Sequence, residues 1–247
     1  MKRLVIVGNG GAAISALRAI RSVSRSCRIA LISGEDCPAY SPVLTTYYLA
    51  GSIPYRGMFL CRRDFYRRHG VRAILGDPAV AVEPEGQRVL LASGQAVPYD
   101  EVLIATGSSV AVPPIPGVEG CLTLWTAQEA RQLREQARKA DRVAVVGAGL
   151  IGIQIVDALL RWGKKVALVE MQDRLLPRVM DGQSAAILKE RLQAAGVDIH
   201  LSQQVREVRG QGGNKELMLS SGAVVAVGVV VFATGVRPNA GLLAGCG

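Results

Sequence analysis

The chain has 247 residues, of which 49% are hydrophobic and 20% are charged, with a formal net charge of +9. This composition excludes an intrinsically disordered chain, which would be poorer in apolar residues, and the length allows one or two domains with buried cores. Because only 4% of the residues are aromatic, the apolar residues are mainly Ala, Val, Leu and Ile. Such a mixture is typical of buried parallel strands covered by helices.

The first predicted elements are a strand, a glycine-rich turn, a helix and a second strand. An apolar run from Arg3 ends at the turn Gly8–Gly11, and a helix-like stretch follows it. A second apolar run, Arg28–Ser33, leads to Glu35. A basic start before an apolar run resembles a signal peptide, but no small-residue cleavage pattern follows, so we interpret the first run as a strand.

A small antiparallel meander is predicted in the middle of the first half. Its strand candidates are Ala79–Val82, Arg88–Leu91 and Ala96–Pro98, with turns between them. A proline-rich linker at 108–120 marks a domain boundary. A helix is predicted to begin at Thr126, because Thr126 and Glu129 have the spacing of a capping box.

The second half repeats the pattern of the first. The strand Arg142–Val146 leads into a glycine turn at 147–152, a helix-like stretch, and the strand Lys165–Val169, which ends at Glu170. The meander candidates of this half are Gln204–Arg209, Glu216–Leu219 and Ala223–Val227. A Thr-Gly pair closes each half. The chain is therefore predicted to contain one α/β unit twice.

Both glycine turns have the order of a dinucleotide-binding fingerprint: strand, G-x-G-x-x-G/A, helix, strand, acid. The first glycine allows a sharp turn, the second lets a pyrophosphate approach the backbone, and the third small residue lets the helix pack on the sheet. The final acid can accept hydrogen bonds from a ribose, although both acids lie beyond the ~20-residue spacing of the fingerprint. The residues in these roles are Gly8, Gly10, Ala13 and Glu35 in the first copy, and Gly147, Gly149, Gly152 and Glu170 in the second.

The sequence gives little support for a membrane-spanning helix, a metal site or a disulfide bond. The longest uncharged runs, Val143–Val156 and Ala223–Val236, are shorter than the ~20 residues of a spanning helix. The chain has 5 cysteines, an odd number, without a C-x-x-C pair or a metal-ligand spacing. We therefore expect free thiols, no metal, no membrane association and a cytoplasmic protein.

Arginines recur in two clusters, and two interpretations of them stay open. The clusters are Arg18, Arg21, Arg25 and Arg28, and then Arg62, Arg63, Arg67, Arg68 and Arg72. Their near-helical spacing is typical of a solvated helix face. Alternatively, they form a docking surface for an acidic partner protein. Nucleic acid is not expected, because no recognised motif and no aromatic residues accompany the charge.

Six motifs spread over almost the whole chain support a family resemblance. They are Val7–Ala13, Pro38–Pro42, Tyr99–Ser108, Val146–Gly152, Asp173–Arg178 and Phe232–Asn239. With them the chain resembles the FAD-dependent pyridine nucleotide–disulfide oxidoreductases. Within that family it is similar to the nitrite reductase, rubredoxin reductase and ferredoxin reductase-like branch that lacks a redox disulfide.

The resemblance implies two Rossmann-like, doubly wound α/β units, each with a small antiparallel meander. Residues 1–112 would bind FAD, residues 113–239 would bind NAD(P), and residues 240–247 would re-enter the first unit. Because relatives continue with a Gly-Asp motif and a C-terminal domain, the FAD unit is expected to be incomplete in this chain. An acid at Glu170 disfavours the 2′-phosphate of NADP, so NAD is preferred, although Arg174 lies nearby.

The site residues that the resemblance implies fall into two sets. The expected FAD contacts are Gly8, Gly10, Gly11, Ala12, Ala13, Glu35, Val80, Ala105, Thr106 and Gly107. The expected NAD contacts are Gly147, Gly149, Leu150, Ile151, Gly152, Glu170, Thr234 and Gly235. No catalytic residue is assigned from the sequence.

Two functions remain possible from the sequence. The first is an oxidoreductase in which hydride passes from NADH to flavin and electrons pass on to a partner protein or small acceptor, or the reverse. The second is a non-catalytic nucleotide-binding scaffold or regulatory subunit. Relatives often carry a Lys–Glu pair beside the flavin, and the corresponding residues, Thr46 and Gln154, are neutral. This departure favours the second function slightly.

Overall fold

The computed structural model describes residues 1–244 and 246, and its chain divides into two units. The first unit comprises Met1–Ser41, Phe59–Ser109 and the segment from Pro238 onward, and the second comprises Pro42–Met58 and Val110–Arg237. The domain boundary expected at 112/113 therefore lies close to Ser109 and Val110, where the chain leaves the first unit and enters the second. Pro42–Met58, however, groups with the second unit and not with residues 1–112. Of the segment 240–247, residues 245 and 247 lie outside the described part.

The helices and strands are numbered in chain order. The helices are α1 (Gly11–Val23), α2 (Thr45–Leu49), α3 (Asp64–Arg68), α4 (Ala127–Lys139), α5 (Leu150–Arg161) and α6 (Gly182–Ala194). The strands of the first half are β1 (Arg3–Val7), β2 (Arg28–Ser33), β3 (Val71–Leu75), β4 (Ala79–Glu83), β5 (Arg88–Leu91), β6 (Ala96–Pro98), β7 (Glu101–Ile104) and β8 (Ser108–Val110). The later strands are β9 (Leu122–Thr123), β10 (Arg142–Val146), β11 (Lys165–Val169), β12 (Asp198–His200), β13 (Val205–Gln211), β14 (Asn214–Leu219), β15 (Val224–Val227), β16 (Val229–Phe232) and β17 (Val236–Pro238).

The first unit is built on a parallel sheet of order β3-β2-β1-β7. One face of the sheet is covered by α1, whose buried residues Ala13, Ile14 and Leu17 pack against Ile6 and neighbouring strand residues. The other face is covered by the antiparallel meander β4-β5-β6. The parallel strands therefore have both faces buried, which accounts for their almost continuous apolar sequence.

The second unit repeats this plan with five parallel strands of order β12-β11-β10-β16-β9. Its meander, β13-β14-β15, packs on one face of the sheet through residues such as Leu217 and Val225. Helices α4 and α5 also contribute buried residues to this unit, among them Leu133 and Ile155. The predicted fold class, two Rossmann-like α/β units each with an antiparallel meander, is confirmed. In each unit the meander covers a sheet face that helices cover in a fully doubly wound sheet.

The predicted start of helix α4 is confirmed. The capping box at the start of α4 is present, because the Glu129 N–H donates to the Thr126 hydroxyl and the Thr126 N–H donates to the Glu129 carboxylate. Strands β13 and β14, in contrast, are longer than predicted and extend into the segment 210–215 between the two strand candidates, which leaves a tight connection at Gly212 and Gly213.

The arginine periodicity does not correspond to two continuous helix faces. Helix α1 ends at Val23, so Arg25 lies in the following loop and Arg28 opens β2. Helix α3 covers only Asp64–Arg68, and Arg72 lies on β3. The helical-face interpretation is therefore wrong for part of each cluster. Within the described residues, no helix is both long and apolar enough to span a bilayer.

Arg134 connects α2 to the rest of the second unit. Its guanidinium lies 4.5 Å from the ring centroid of Tyr48 and 5.7 Å from that of Trp162. It also donates a hydrogen bond of 3.1 Å to the Tyr48 carbonyl. Because these contacts join α2, α4 and α5, they stabilise the association of Pro42–Met58 with this unit.

We expect Arg134→Ala to lower the free energy of unfolding of the second unit by about 1–3 kcal/mol, the sum of lost cation–π contacts and a hydrogen bond. Urea titration followed by Trp fluorescence measures this loss. Arg131→Ala is the matched control on the same helix, because among the described residues Arg131 pairs only with the exposed Glu135. This control should change stability by less than about 0.5 kcal/mol. Equal effects of the two substitutions would contradict the assigned role of Arg134.

Candidate functional site

The first glycine turn is fixed by close contact with the end of a neighbouring strand. Gly8 follows β1 with φ +120°, and a Cβ there would lie 2.0 Å from the carbonyl oxygen of Ala105, which follows β7. No larger residue fits this position. A Cβ at Gly10 or Gly11, in contrast, would meet no heavy atom within 4 Å. The turn is therefore closed toward the sheet and open on its outer side.

The second glycine turn has the same construction. Gly147 has φ +105°, and its Cβ would lie 2.5 Å from the carbonyl oxygen of Ala233. A Cβ at Gly152 would lie 1.9 Å from the Gly147 carbonyl oxygen, so the helix packs directly on the turn. Gly149 again has open space around it. Ala105 and Ala233 thus support the two turns in the same way, and of the two only Ala105 was predicted as a site residue.

Each turn leads directly into a helix that offers free donors. Helix α1 has Gly10 as its N-cap and α5 has Gly149, and neither has a side-chain capping bond in the described structure. The backbone N–H groups of the first turn of each helix therefore remain available, at the positive end of the helix dipole. These groups belong to the predicted residues Gly11, Ala12, Ala13, Leu150, Ile151 and Gly152. Such an arrangement suits an anionic phosphate.

The acid of the second unit is buried and held by the backbone. Glu170 is only 9% exposed. One carboxylate oxygen accepts the Ala148 N–H at 2.6 Å, and the other accepts the Gln172 N–H at 2.8 Å. Each oxygen keeps acceptor capacity for a further donor. The carboxylate therefore fixes the glycine turn and still presents a negative charge beside it.

The acid of the first unit is held differently. Glu35 is exposed, and its carboxylate accepts the hydroxyl of Tyr40 at 2.9 and 3.0 Å. The neighbouring Cys37 is half-buried, and this burial together with the Glu35 charge raises the pKa of its thiol to about 11. Cys37 is therefore a weak nucleophile at neutral pH, because little thiolate is present.

A side-chain network that the sequence analysis missed supports the first turn. Asn9 donates to the Cys37 carbonyl at 3.1 Å and accepts the Tyr66 hydroxyl at 2.8 Å. The Tyr66 oxygen also accepts the Ala39 N–H at 3.0 Å. Burial raises the pKa of Tyr66 to about 12. The only sequence signal was a polar residue between two turn glycines, because Tyr66 is distant along the chain.

The predicted Thr-Gly pairs are anchored within their own units. In the first unit, the Thr106 hydroxyl donates to the Asn239 carbonyl at 3.0 Å, and the Asn239 side chain donates back to the Thr106 carbonyl at 2.9 Å. The Asn239 N–H donates to the Gly107 carbonyl. In the second unit, the Thr234 hydroxyl donates to the Ala111 carbonyl at 2.5 Å. The two pairs therefore end β7 and β16 in defined conformations.

A cavity of about 590 Å³ adjoins the second turn. The predicted residues Gly147, Gly149, Leu150, Ile151, Glu170, Thr234 and Gly235 line it. Gly152 does not, because it is buried under the turn. The cavity also includes Trp125 and the segment 176–179, which the sequence analysis did not assign to a site.

Two further positions bear on the expected flavin environment. Val80 is 57% exposed on β4, so its side chain is available to a ligand. Thr46 is buried in α2, where its hydroxyl donates to the Val43 carbonyl, and Gln154 is exposed on α5. All the cysteines are free thiols. The described residues contain no group of three or more His, Cys, Asp or Glu that could hold a metal ion.

Two open glycine turns, each before an uncapped helix and beside an acid, define a protein with two dinucleotide-binding units. The family model described as pyridine nucleotide-disulphide oxidoreductase matches residues 2–247. The chain therefore belongs to this family, as the sequence motifs predicted.

Curated relatives fall in the expected branch. The chain is 31% identical over 240 residues to the nitrite reductase [NAD(P)H] large subunit of Klebsiella oxytoca, covering 96% of this chain and 25% of the relative. It is 30% identical over 248 residues to the 5,5′-dehydrodivanillate O-demethylase ferredoxin reductase subunit of a Sphingobium species, covering 98% of this chain and 60% of the relative.

A solved structure agrees with these relatives. The ferredoxin reductase for the CYP199A2 system of Rhodopseudomonas palustris matches with a TM-score of 0.91 and 28% identity, over 99% of this chain and 61% of that one. The chain thus spans between a quarter and about three-fifths of the length of these proteins.

The glycines of the second turn give a matched pair of substitutions. Gly152→Ala should destabilise the unit by about 1–3 kcal/mol or more, because the new methyl group meets a backbone oxygen that cannot move freely. Gly149→Ala should be neutral or stabilising by up to about 1 kcal/mol, because the site is open and its φ is ordinary. Thermal unfolding of the two variants measures the difference. A stability loss in Gly149→Ala equal to that in Gly152→Ala would refute the distinction.

Tyr66 should give the first unit a specific alkaline pH dependence. Its folded pKa of about 12 lies above the ~10 of an unfolded tyrosine. Its contribution to stability is therefore complete below pH about 10 and is lost as the pH rises toward about 12. Tyr66→Phe should be less stable than the wild type at neutral pH, because the Ala39 N–H loses its acceptor. Between pH about 10 and about 12 its free energy of unfolding should fall less than that of the wild type.

Urea unfolding at a series of pH values tests this difference. The wild type and Tyr66→Phe should converge as the pH rises. Tyr99→Phe provides the control, because the Tyr99 hydroxyl makes only a 3.5 Å contact with the Glu83 carbonyl. A Tyr66→Phe curve parallel to that of the wild type would exclude titration of Tyr66 as the cause.

Proposed function

We propose that the chain forms the two nucleotide-binding units of an FAD-dependent NAD(P)H oxidoreductase. With both nucleotides bound, hydride would pass from NADH to flavin, and electrons would pass on to a partner protein or a small acceptor, or in the reverse direction. The observation that carries this proposal is that one chain holds two independent glycine turns, each open at its middle glycine and followed by an uncapped helix. A single-nucleotide enzyme needs only one such turn.

The residues of the first unit fit FAD. The open surface at Gly10 and Gly11 admits a pyrophosphate, whose charge the α1 N-terminus stabilises. Glu35, oriented by Tyr40, can accept the hydroxyl groups of a ribose. Val80 is exposed and apolar, as an adenine contact requires. Thr106 and Gly107 complete the proposed set at the end of β7.

The residues of the second unit fit NAD. Gly149, Leu150 and Ile151 would hold the pyrophosphate, and Glu170 would accept the adenosine ribose hydroxyls. Because Glu170 is a buried carboxylate, a 2′-phosphate close to it would be repelled. Thr234 and Gly235 line the same cavity on the proposed nicotinamide side.

The redox chemistry would be supplied by the flavin and the nicotinamide when they are bound. The protein's own groups bind and orient them. The described residues lining the second cavity include no Cys or His, so this cavity offers neither a thiol nor an imidazole for the reaction. The high pKa of Cys37 likewise disfavours thiolate chemistry beside Glu35. We therefore propose flavin chemistry without a protein dithiol.

The relatives favour a redox role over a non-catalytic scaffold. Two of them are named as a nitrite reductase large subunit and as a ferredoxin reductase subunit. A further relative, from Bacillus subtilis, is named as the electron transfer subunit of an assimilatory nitrate reductase and is 26% identical. These names support transfer of electrons to another protein component.

Anaerobic titration of the FAD-reconstituted chain with NADH tests the proposal. We expect the visible flavin band to bleach, and NADH to act at lower concentration than NADPH because of Glu170. Gly149→Ala should raise the NADH concentration needed by at least about tenfold, because a methyl group at the phosphate contact costs 1.4 kcal/mol or more. The flavin spectrum of this variant before titration should be unchanged.

Gly182→Ala is the matched control for that titration. Gly182 also lies in the first turn of a helix, with no heavy atom within 4 Å of its Cβ position, and it does not line the cavity. Its NADH titration should match that of the wild type. Retained flavin that NADH does not bleach would favour the non-catalytic alternative.

A further inference from the structure

An arginine-lined cavity of about 960 Å³ lies in the first unit, away from the glycine turn. It is formed at the amino ends of β1 and β2, the carboxyl end of α1 and the start of β3. The glycine turn lies at the opposite, carboxyl edge of the same sheet. Because β1 has five residues, the two edges are separated by roughly 16 Å at ~3.3 Å per residue.

The cavity is strongly cationic. Its lining includes Arg18, Arg21, Arg25, Arg28, Arg68 and Arg72, together with Arg3. Neither an Asp nor a Glu is among the described residues that line it. The arginines belong to two helices, one loop and three strands. The fold therefore brings the first sequence cluster together with Arg68 and Arg72 of the second.

Some of these arginines have structural roles. Arg21 donates to the carbonyl oxygens of His69 at 2.7 Å and of Cys27 and Gly70 at 3.1 Å, and thereby joins α1 to the start of β3. Arg3 and Arg68 pair with the carboxylates of Asp100 and Asp64. Arg21 also suits the negative end of the helix dipole. These contacts account for part of the charge.

Arg25, Arg28 and Arg72 have no such role. All three are exposed, and their side chains make no hydrogen bond or ion pair within residues 1–244 and 246. Arg28 is in register with Arg3 on the adjacent strand, and Arg72 is in register with Ala30 two residues along β2. Like charges on neighbouring strands repel each other. The fold therefore bears an electrostatic cost at Arg28 and Arg72 that contacts of their side chains within the described residues do not offset.

The cavity chemistry favours a peptide over other polyanions. No Phe, Tyr or Trp is among its described lining residues, so it offers no aromatic platform for nucleobases. Three apolar residues that keep some solvent exposure, Leu4, Ala30 and Pro98, line the cavity together with the arginines. Arginine mixed with apolar surface is typical of protein interfaces.

We propose that this cavity docks an acidic segment of a partner protein and serves as an anchor for assembly. Because it opens at the edge of the sheet opposite the glycine turn, the docked segment leaves that turn accessible. The proposal goes beyond the oxidoreductase function and does not depend on it. A partner anchored here is held to the chain without occupying a nucleotide site.

Fluorescence anisotropy with a labelled peptide in which glutamate alternates with leucine tests the proposal. The triple substitution Arg25→Gln, Arg28→Gln, Arg72→Gln should weaken binding by at least about tenfold, because three unpaired charges face the segment. The same variant should unfold at an equal or higher temperature, because repulsion between strand ends is relieved. If it fails to fold, Arg72→Gln alone should still weaken binding by about threefold or more.

A charge-matched triple variant keeps the experiment specific. Arg56, Arg62 and Arg67 are exposed, make no ion pair among the described residues and do not line the cavity. Their replacement by Gln should leave peptide binding within about twofold of the wild type. Equal losses in the two triple variants would overturn the proposal. Stronger binding of a single-stranded DNA oligonucleotide or of inorganic phosphate to the same three arginines would also overturn it.

Discussion

The architecture depends on the close packing of a glycine turn against the end of the adjacent parallel strand. Gly8 contacts the backbone at Ala105, and Gly147 contacts the backbone at Ala233, at distances that leave no room for a side chain. This contact brings the amino end of a helix to the carboxyl edge of the sheet, where its unpaired N–H groups face outward. The open middle glycine and the neighbouring acid then acquire their positions from the same contact. Within each turn, the first glycine therefore supports the packing of the fold, whereas the middle glycine is left open to a ligand.

The two units stabilise the same turn in different ways. In the second unit, the Ala148 backbone N–H donates to Glu170, so the acid is buried and forms part of the turn. In the first unit, the side chain of Asn9 bonds to the Cys37 carbonyl and to Tyr66, and Glu35 remains exposed beside Tyr40. A buried carboxylate discriminates more strongly against a nearby anionic group than an exposed one, because it is less screened by water. Under the proposed function, the second unit is therefore expected to discriminate more strongly than the first against a phosphorylated ribose.

The sequence predicted the features that depend on local spacing. The glycine turns, the capping box at Thr126 and the bounds of β5 and β6 all follow from residues close together in the chain. Features that depend on distant partners were missed, such as Tyr66 bonding to Asn9 across 57 positions. The arginine spacing was misleading because α1 ends at Val23, within the apparent period. Periodicity gives no information on where a helix stops, and here no glycine or proline marked the end.

The placement of Pro42–Met58 has a consequence for how this protein can be divided. The chain passes between its two units after Ser41, Met58, Ser109 and Arg237, so neither unit is a single stretch of sequence. A fragment cut at the proline-rich linker would carry α2 without α4 and α5, and would expose Tyr48 and Leu49 to water. Gene fusion or shuffling at that linker would therefore yield a product with exposed apolar surface, which favours aggregation. Although the two units repeat one plan, their chain segments interleave, so the pair cannot be separated by a single cut in the sequence.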